Sequence, residues 1–79
     1  MQILIAEDND SNYSLVKNIL KEYQITRVVN GVEAVEKVRN EKFDIVLMDM
    51  KMPIMGGLEA TRKIRELNPA IPIIALTAN

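Results

Sequence analysis

The chain has 79 residues, 48% of them hydrophobic and 27% charged, and its 10 basic and 11 acidic side chains nearly cancel. This balance gives no basic face for nucleic acid and no polybasic patch for a membrane surface, and no apolar run approaches the roughly 20 residues of a membrane span. Cysteine and histidine are both absent, which excludes disulfides, thiolate and imidazole metal sites and histidine-based catalysis, and is compatible with a cytoplasmic location.

Ile3 to Ala6 is a short apolar run that stops at Glu7-Asp8-Asn9-Asp10, the pattern of a buried strand followed by a loop. Ser11 to Tyr23 follows, with Leu15, Val16, Ile19, Leu20 and Tyr23 spaced as one apolar stripe on a helix. Gln24 to Val29 reads as a second strand, broken at Asn30-Gly31. Asn30 and Glu33 have the spacing of a helix N-cap and a partner that reaches back to it. Val32, Val35 and Val38 continue as a short second helix. Phe43 to Met48 is the most apolar strand, and Asp49 ends it. Pro53 and Gly56-Gly57 mark the loop from Met50 to Gly57. Leu58 to Leu67 reads as a third helix, its buried face Leu58, Thr61, Ile64 and Leu67, and Asn68-Pro69 stops it. Ile71 to Ala78 is a last strand, apolar on both faces.

The order β-α-β-α-β-α-β implies an α/β fold with parallel strands and crossover helices. Glu7-Asp8 follows the first strand, Asp49 ends the third, and Thr77 lies near the end of the fourth. Open parallel sheets bind ligands beyond the carboxyl ends of their strands, where strand order reverses. If the second and third strands flank the first, Glu7, Asp8 and Asp49 share one pocket. Three carboxylates held together repel one another, and a divalent cation removes that cost. Oxygen donors alone select Mg2+, or Mn2+ as a substitute, and Mg2+ in such a site works with phosphate oxygens.

Ile3-Leu4-Ile5-Ala6-Glu7-Asp8-Asn9, Leu47-Met48-Asp49-Met50-Lys51-Met52-Pro53-Ile54-Met55-Gly56-Gly57 and Ile73-Ile74-Ala75-Leu76-Thr77-Ala78-Asn79 together resemble the receiver domain of two-component response regulators, in particular receivers fused to hybrid sensor kinases. The resemblance is collinear over the whole chain. It implies a flavodoxin-like sheet of order 2-1-3-4. It also assigns roles: Asp49 as phosphoacceptor, Asp8 as direct Mg2+ ligand, Glu7 as ligand through a water, and the Lys51 backbone carbonyl as a further ligand. Thr77 is then the switch hydroxyl and the Ala78 backbone N–H a donor to the phosphoryl group. The donor is a sensor histidine kinase or a histidine phosphotransfer domain. Gly56 stands where many family members carry Asp or Asn. Residues 1–79 are expected to form a truncated receiver lacking the fourth helix, fifth strand, its lysine, and fifth helix.

Each residue also has a bland reading. Glu7 and Asp8 suit a solvated loop, Asp49 a turn or cap, and Thr77 an ordinary strand. Met48, Met50, Met52 and Met55 read as packing, and Lys37, Arg39, Arg62, Lys63 and Arg65 as exposed helix faces. Two other functions compete with the phosphoacceptor. A Mg2+-dependent phosphohydrolase with an aspartate nucleophile typically needs a second acid two residues on, where this chain has Lys51. A receiver fragment that is not phosphorylated and self-associates is suggested by the long, uncharged fourth strand, an edge suited to a homodimer by strand pairing or element exchange.

Overall fold

The two central apolar runs become strands because both of their faces find cover. The structure, a computed structural model, describes residues 1–76. Its elements are β1 (Gln2–Ala6), α1 (Asp10–Ile19), β2 (Gln24–Val28), α2 (Gly31–Asn40), β3 (Ile45–Asp49), α3 (Gly57–Leu67) and β4 (Ile73–Leu76). The strands form one parallel sheet of order β2-β1-β3-β4. In register, Ile3 to Ala6 lie beside Ile45 to Met48, and Val46 to Asp49 beside Ile73 to Leu76.

Side chains alternate across the sheet with a period of two. Leu4, Ala6, Val28, Val46 and Met48 face α2 and α3, where they meet Ala34, Val35, Ala60 and Ile64. Ile3, Ile5 and Leu47 face α1, where Tyr13, Val16 and Leu20 cover them. Ile64 is fully buried, a burial that contributes about 1.5–3 kcal/mol.

The helices differ from the expected ones in the faces they bury. α1 ends at Ile19, with the Leu20 N–H bonded to the Val16 carbonyl, and Tyr23 lies in the turn beyond it. Of the expected stripe, Leu15, Ile19 and Tyr23 are exposed. Val16 and Leu20 of that stripe do face the sheet, and Tyr13 joins them, so the contact line is the expected stripe rotated by about one residue around the helix. In α3 the buried residues are Gly57, Ala60 and Ile64. Leu58 and Leu67 are exposed and Thr61 is only part-buried. The reason is close approach: a methyl group placed on Gly31 would stand 3.0 Å from the Ala60 Cβ. The seam between α2 and α3 is therefore made of small residues, whereas the expected face had counted large ones.

Strand ends also shift. Phe43 precedes β3 and packs against the α2–α3 cluster. Ile71 is buried before β4 begins, and the Pro72 carbonyl accepts the Val46 N–H at 3.0 Å. Asn30 caps α2 as expected, its Oδ1 accepting the Glu33 N–H at 2.9 Å. The Glu33 carboxylate reaches one residue further back than expected, to the Val29 N–H.

Candidate functional site

Sheet order makes the crevice. The chain leaves β1 toward α1 on one face and leaves β3 toward α3 on the other. The two loops part, and a cleft opens beyond the carboxyl ends of these neighbouring strands. Glu7 and Asp8 stand at the end of β1 and Asp49 is the last residue of β3. One carboxylate oxygen from each lies within 4.8 Å of the other two.

The three groups are unequally placed. Glu7 is 2% exposed, Asp49 is intermediate and Asp8 faces solvent. Burial pushes the Glu7 carboxyl above its ordinary range; the Asn9 N–H, donating to Oε2 at 3.2 Å, opposes this, while Asp49 and Asp8 add to it. Asp49 Oδ1 accepts the Lys51 N–H at 3.1 Å, which folds the loop back over the strand end. The Lys51 side chain is exposed. A cluster of hard oxygens with one open side and no nitrogen or sulfur donor fits a small divalent cation such as Mg2+.

Both loops are held from outside. The Glu7 N–H donates to the Val28 carbonyl at 3.0 Å. Arg27, from β2, donates through Nε to the Glu7 carbonyl at 3.0 Å and through Nη2 to Asp10 Oδ1 at 2.8 Å. Its guanidinium lies 4.3 Å from the centre of the Tyr13 ring. The expected site did not include Arg27; only a cation one residue before the end of β2, adjacent to an acidic loop once the strands pair, would have signalled it. After β3, the Gly57 N–H donates to the Met50 carbonyl, and the Gly31 N–H ties Met55 to the start of α2. Ile54 in this loop has φ 69, a left-handed conformation that a β-branched residue adopts only under constraint.

Met48 is buried, and Met50, Met52 and Met55 pack against the α2–α3 core, as their packing reading expected. Lys37 pairs with Glu41 and Arg39 with Glu36 on the outer surface of α2. Thr77 and Ala78 lie outside the described residues.

The sequence matches the response regulator receiver domain family over residues 3–79. The chain belongs to that family. Receivers are signal-transduction modules of two-component systems, which is the function this fold carries here. The receiver is 43% identical over its whole length to part of the autoinducer 2 sensor kinase/phosphatase LuxQ of Vibrio vulnificus, and covers 10% of that protein. Its structure matches the receiver domain of a sensor histidine kinase from Pseudomonas aeruginosa, which holds a magnesium ion in its active site cleft. The TM-score is 0.93 at 39% identity, covering 99% of this chain and 67% of that one. It also matches the Thermotoga maritima response regulator TrrA in complex with Mg2+-BeF, with TM-score 0.92 and 36% identity, covering 99% of this chain and 70% of that one. TrrA is also known in complex with the histidine kinase ThkA. This receiver thus spans a tenth of its LuxQ relative and about two-thirds of the solved receivers.

Proposed function

We propose that Asp49 is the phosphoacceptor of this receiver and that Mg2+ is its working cation, with Mn2+ able to substitute. The observation that carries the reading is the convergence of Glu7, Asp8 and Asp49 oxygens within 4.8 Å at the strand-order reversal. Asp8 and Asp49 would hold the cation directly, Glu7 would hold it through a water, and the Lys51 carbonyl would be a further ligand. A cation held there would supply neutralising charge to the clustered carboxylates and to the incoming phosphoryl oxygens. An Asp49 oxygen attacks the phosphorus of a phosphohistidine, and the P–N bond breaks with its electron pair going to the imidazole. Asp49 is left as an acyl phosphate. Positioning and charge neutralisation supply the rate. Thr77, through its hydroxyl, and Ala78, through its N–H, donate to the phosphoryl oxygens.

The phosphohistidine belongs to a sensor histidine kinase or a histidine phosphotransfer domain, because this chain contains no histidine. The reading places the module in the cytoplasm, as a stoichiometric acceptor rather than a turnover enzyme. No described helix is long and apolar enough to cross a membrane.

Intact-mass spectrometry after incubation with acetyl phosphate and Mg2+ tests the reading, with Asp49→Asn as control. The expected result is one added phosphoryl group, absent from the control. A folded sample that gains nothing overturns the assignment, and sustained turnover of p-nitrophenyl phosphate would replace it with phosphohydrolysis. A second reading, self-association, is supported by β4. Among the described residues it pairs only with β3, and Ile74 on it is half exposed. A monomer in sedimentation at high micromolar concentration would remove this reading.

A further inference from the structure

Two of the three pocket carboxylates sit on one short loop between β1 and α1, so the shape of that loop decides whether the pocket exists. Neither Glu7 nor Asp8 is on a regular element. Part of the support is local: Asn9 donates its N–H to Glu7 and caps α1 by accepting the Asn12 N–H at 2.9 Å. The rest comes from Arg27, one residue before the end of β2 and in register with Ile5.

Arg27 touches the loop at both ends. Its Nε holds the carbonyl of Glu7, the peptide that leads directly into Asp8. Its Nη2 holds Asp10, the first residue of α1. Its plane packs on Tyr13, one turn further along the same helix. The planar fork makes these contacts together, which a lysine ammonium on a flexible stem does not. The Arg27 side chain is 25% exposed and Asp10 is 91% exposed. The ion pair alone is therefore worth little, and the part-buried end of the contact, on the Glu7 carbonyl, is the part that shapes the loop.

Two effects on a bound cation have opposite signs. As a positive charge near an acidic pocket, Arg27 opposes Mg2+. As a clamp, it favours Mg2+ by holding Glu7 and Asp8 in the receiving arrangement before the ion arrives. Pairing with Asp10 offsets the charge, and the clamp remains. We infer that Arg27 is a positioning residue for the metal pocket, bridging the Glu7 carbonyl, Asp10 and Tyr13 so that the loop meets Asp49 already formed. This rests on the receiver reading of the Glu7–Asp8–Asp49 pocket.

The test is Mg2+ titration calorimetry on the intact chain, with thermal unfolding in EDTA as a separate measure of folding. Partners outside a ligand shell typically change metal affinity by about 10- to 100-fold. Arg27→Met keeps the side-chain stem over Tyr13 and is expected to raise the Mg2+ dissociation constant about tenfold. Arg27→Lys keeps the charge and is expected to recover only part of the loss. Asp10→Asn, a surface change that leaves Arg27 in place, is expected to weaken binding less than Arg27→Met. It provides a readout even if Arg27→Met fails to fold. Mg2+ binding by Arg27→Met as tight as wild type or tighter would show that the contacts are not needed, full recovery by Arg27→Lys would show that the planar fork is not, and either result would overturn the clamp. With Arg27→Met unfolded, an unchanged Asp10→Asn together with a wild-type-like Arg27→Lys overturns it as well. Asp8→Asn separates the two levels of argument. If wild type binds Mg2+ and Asp8→Asn does not, the pocket stands and the Arg27 variants judge the clamp alone. If wild type does not bind Mg2+, the pocket reading falls and the clamp with it.

Discussion

Gly57→Ala probes how the scaffold meets the site. Gly57 opens α3 directly over the end of β3, and no glycine in the described residues has a positive φ, so Gly57 is needed for space rather than for backbone freedom. A methyl group there would stand 2.8 Å from the Met50 Cα and nearer still to the Asp49 carbonyl oxygen. Ordinary carbon–carbon contact begins at about 3.5 Å, so α3 and the Asp49–Met50 peptide must separate by at least about 0.7 Å. Overpacking of this kind costs about 1–3 kcal/mol, and the helix preference for alanine offsets at most about 1 kcal/mol of it. A net loss of about 1–2 kcal/mol corresponds to a fall in Tm of about 4–16 °C for a chain of this size. The displacement also exceeds the roughly 0.5 Å tolerance of a preorganised site, so Mg2+ affinity falls with stability. Circular dichroism melts in EDTA and Mg2+ calorimetry read the two effects. Gly56→Ser is the neighbouring control. It sits at the N-cap with no side-chain capping bond and is expected to change stability by only a few tenths of a kcal/mol. A Gly57→Ala Tm within about 2 °C of wild type with unchanged Mg2+ affinity would refute the close-approach argument.

Asn30→Ala removes the α2 cap and leaves the Glu33 N–H unpaired, and is expected to lower stability by about 1 kcal/mol in urea titration. Ile54→Asn places a residue that tolerates the left-handed conformation at φ 69 and gives up little burial, since Ile54 is 84% exposed. It is expected to raise stability by about 1 kcal/mol, seen as a higher Tm. Glu7→Gln tests the raised carboxyl. In EDTA the unfolded chain ionises Glu7 first, so wild-type stability falls as pH rises from the ordinary carboxylate range through the raised folded value. The variant lacks that fall, is more stable than wild type at neutral pH, and binds Mg2+ less tightly. A urea midpoint for wild type that rises over this window relative to Glu7→Gln would contradict the assignment.

Much of this receiver is legible along the chain. The apolar runs at Ile3–Ala6 and within Phe43–Met48 mark central strands because a strand covered on both faces must be apolar throughout. The acidic residues that interrupt them mark the strand ends, and their alternation with helices dictates parallel pairing. From these the position of Glu7, Asp8 and Asp49 at one end of the sheet follows, and the family motifs supply the strand order that makes them neighbours.

Other features depend on which surfaces meet. Hydrophobic periodicity weights large side chains, so Leu15, Ile19 and Leu58 stood out, yet all three are exposed. Gly31 lets α2 come close to Ala60 of α3, and Gly57 lets α3 come close to the end of β3; these small residues contribute the distance they allow rather than the area they bury. The Arg27 clamp is invisible for a related reason: Arg27 lies 20 residues from Glu7 and 17 from Asp10, and only the pairing of β1 with β2 brings them together. Local sequence determines which segments are strands and helices and which residues can hold charge at their ends. Tertiary structure decides which small residues become contacts and which distant cation steadies the acidic loop, because both depend on through-space distances that no local pattern encodes.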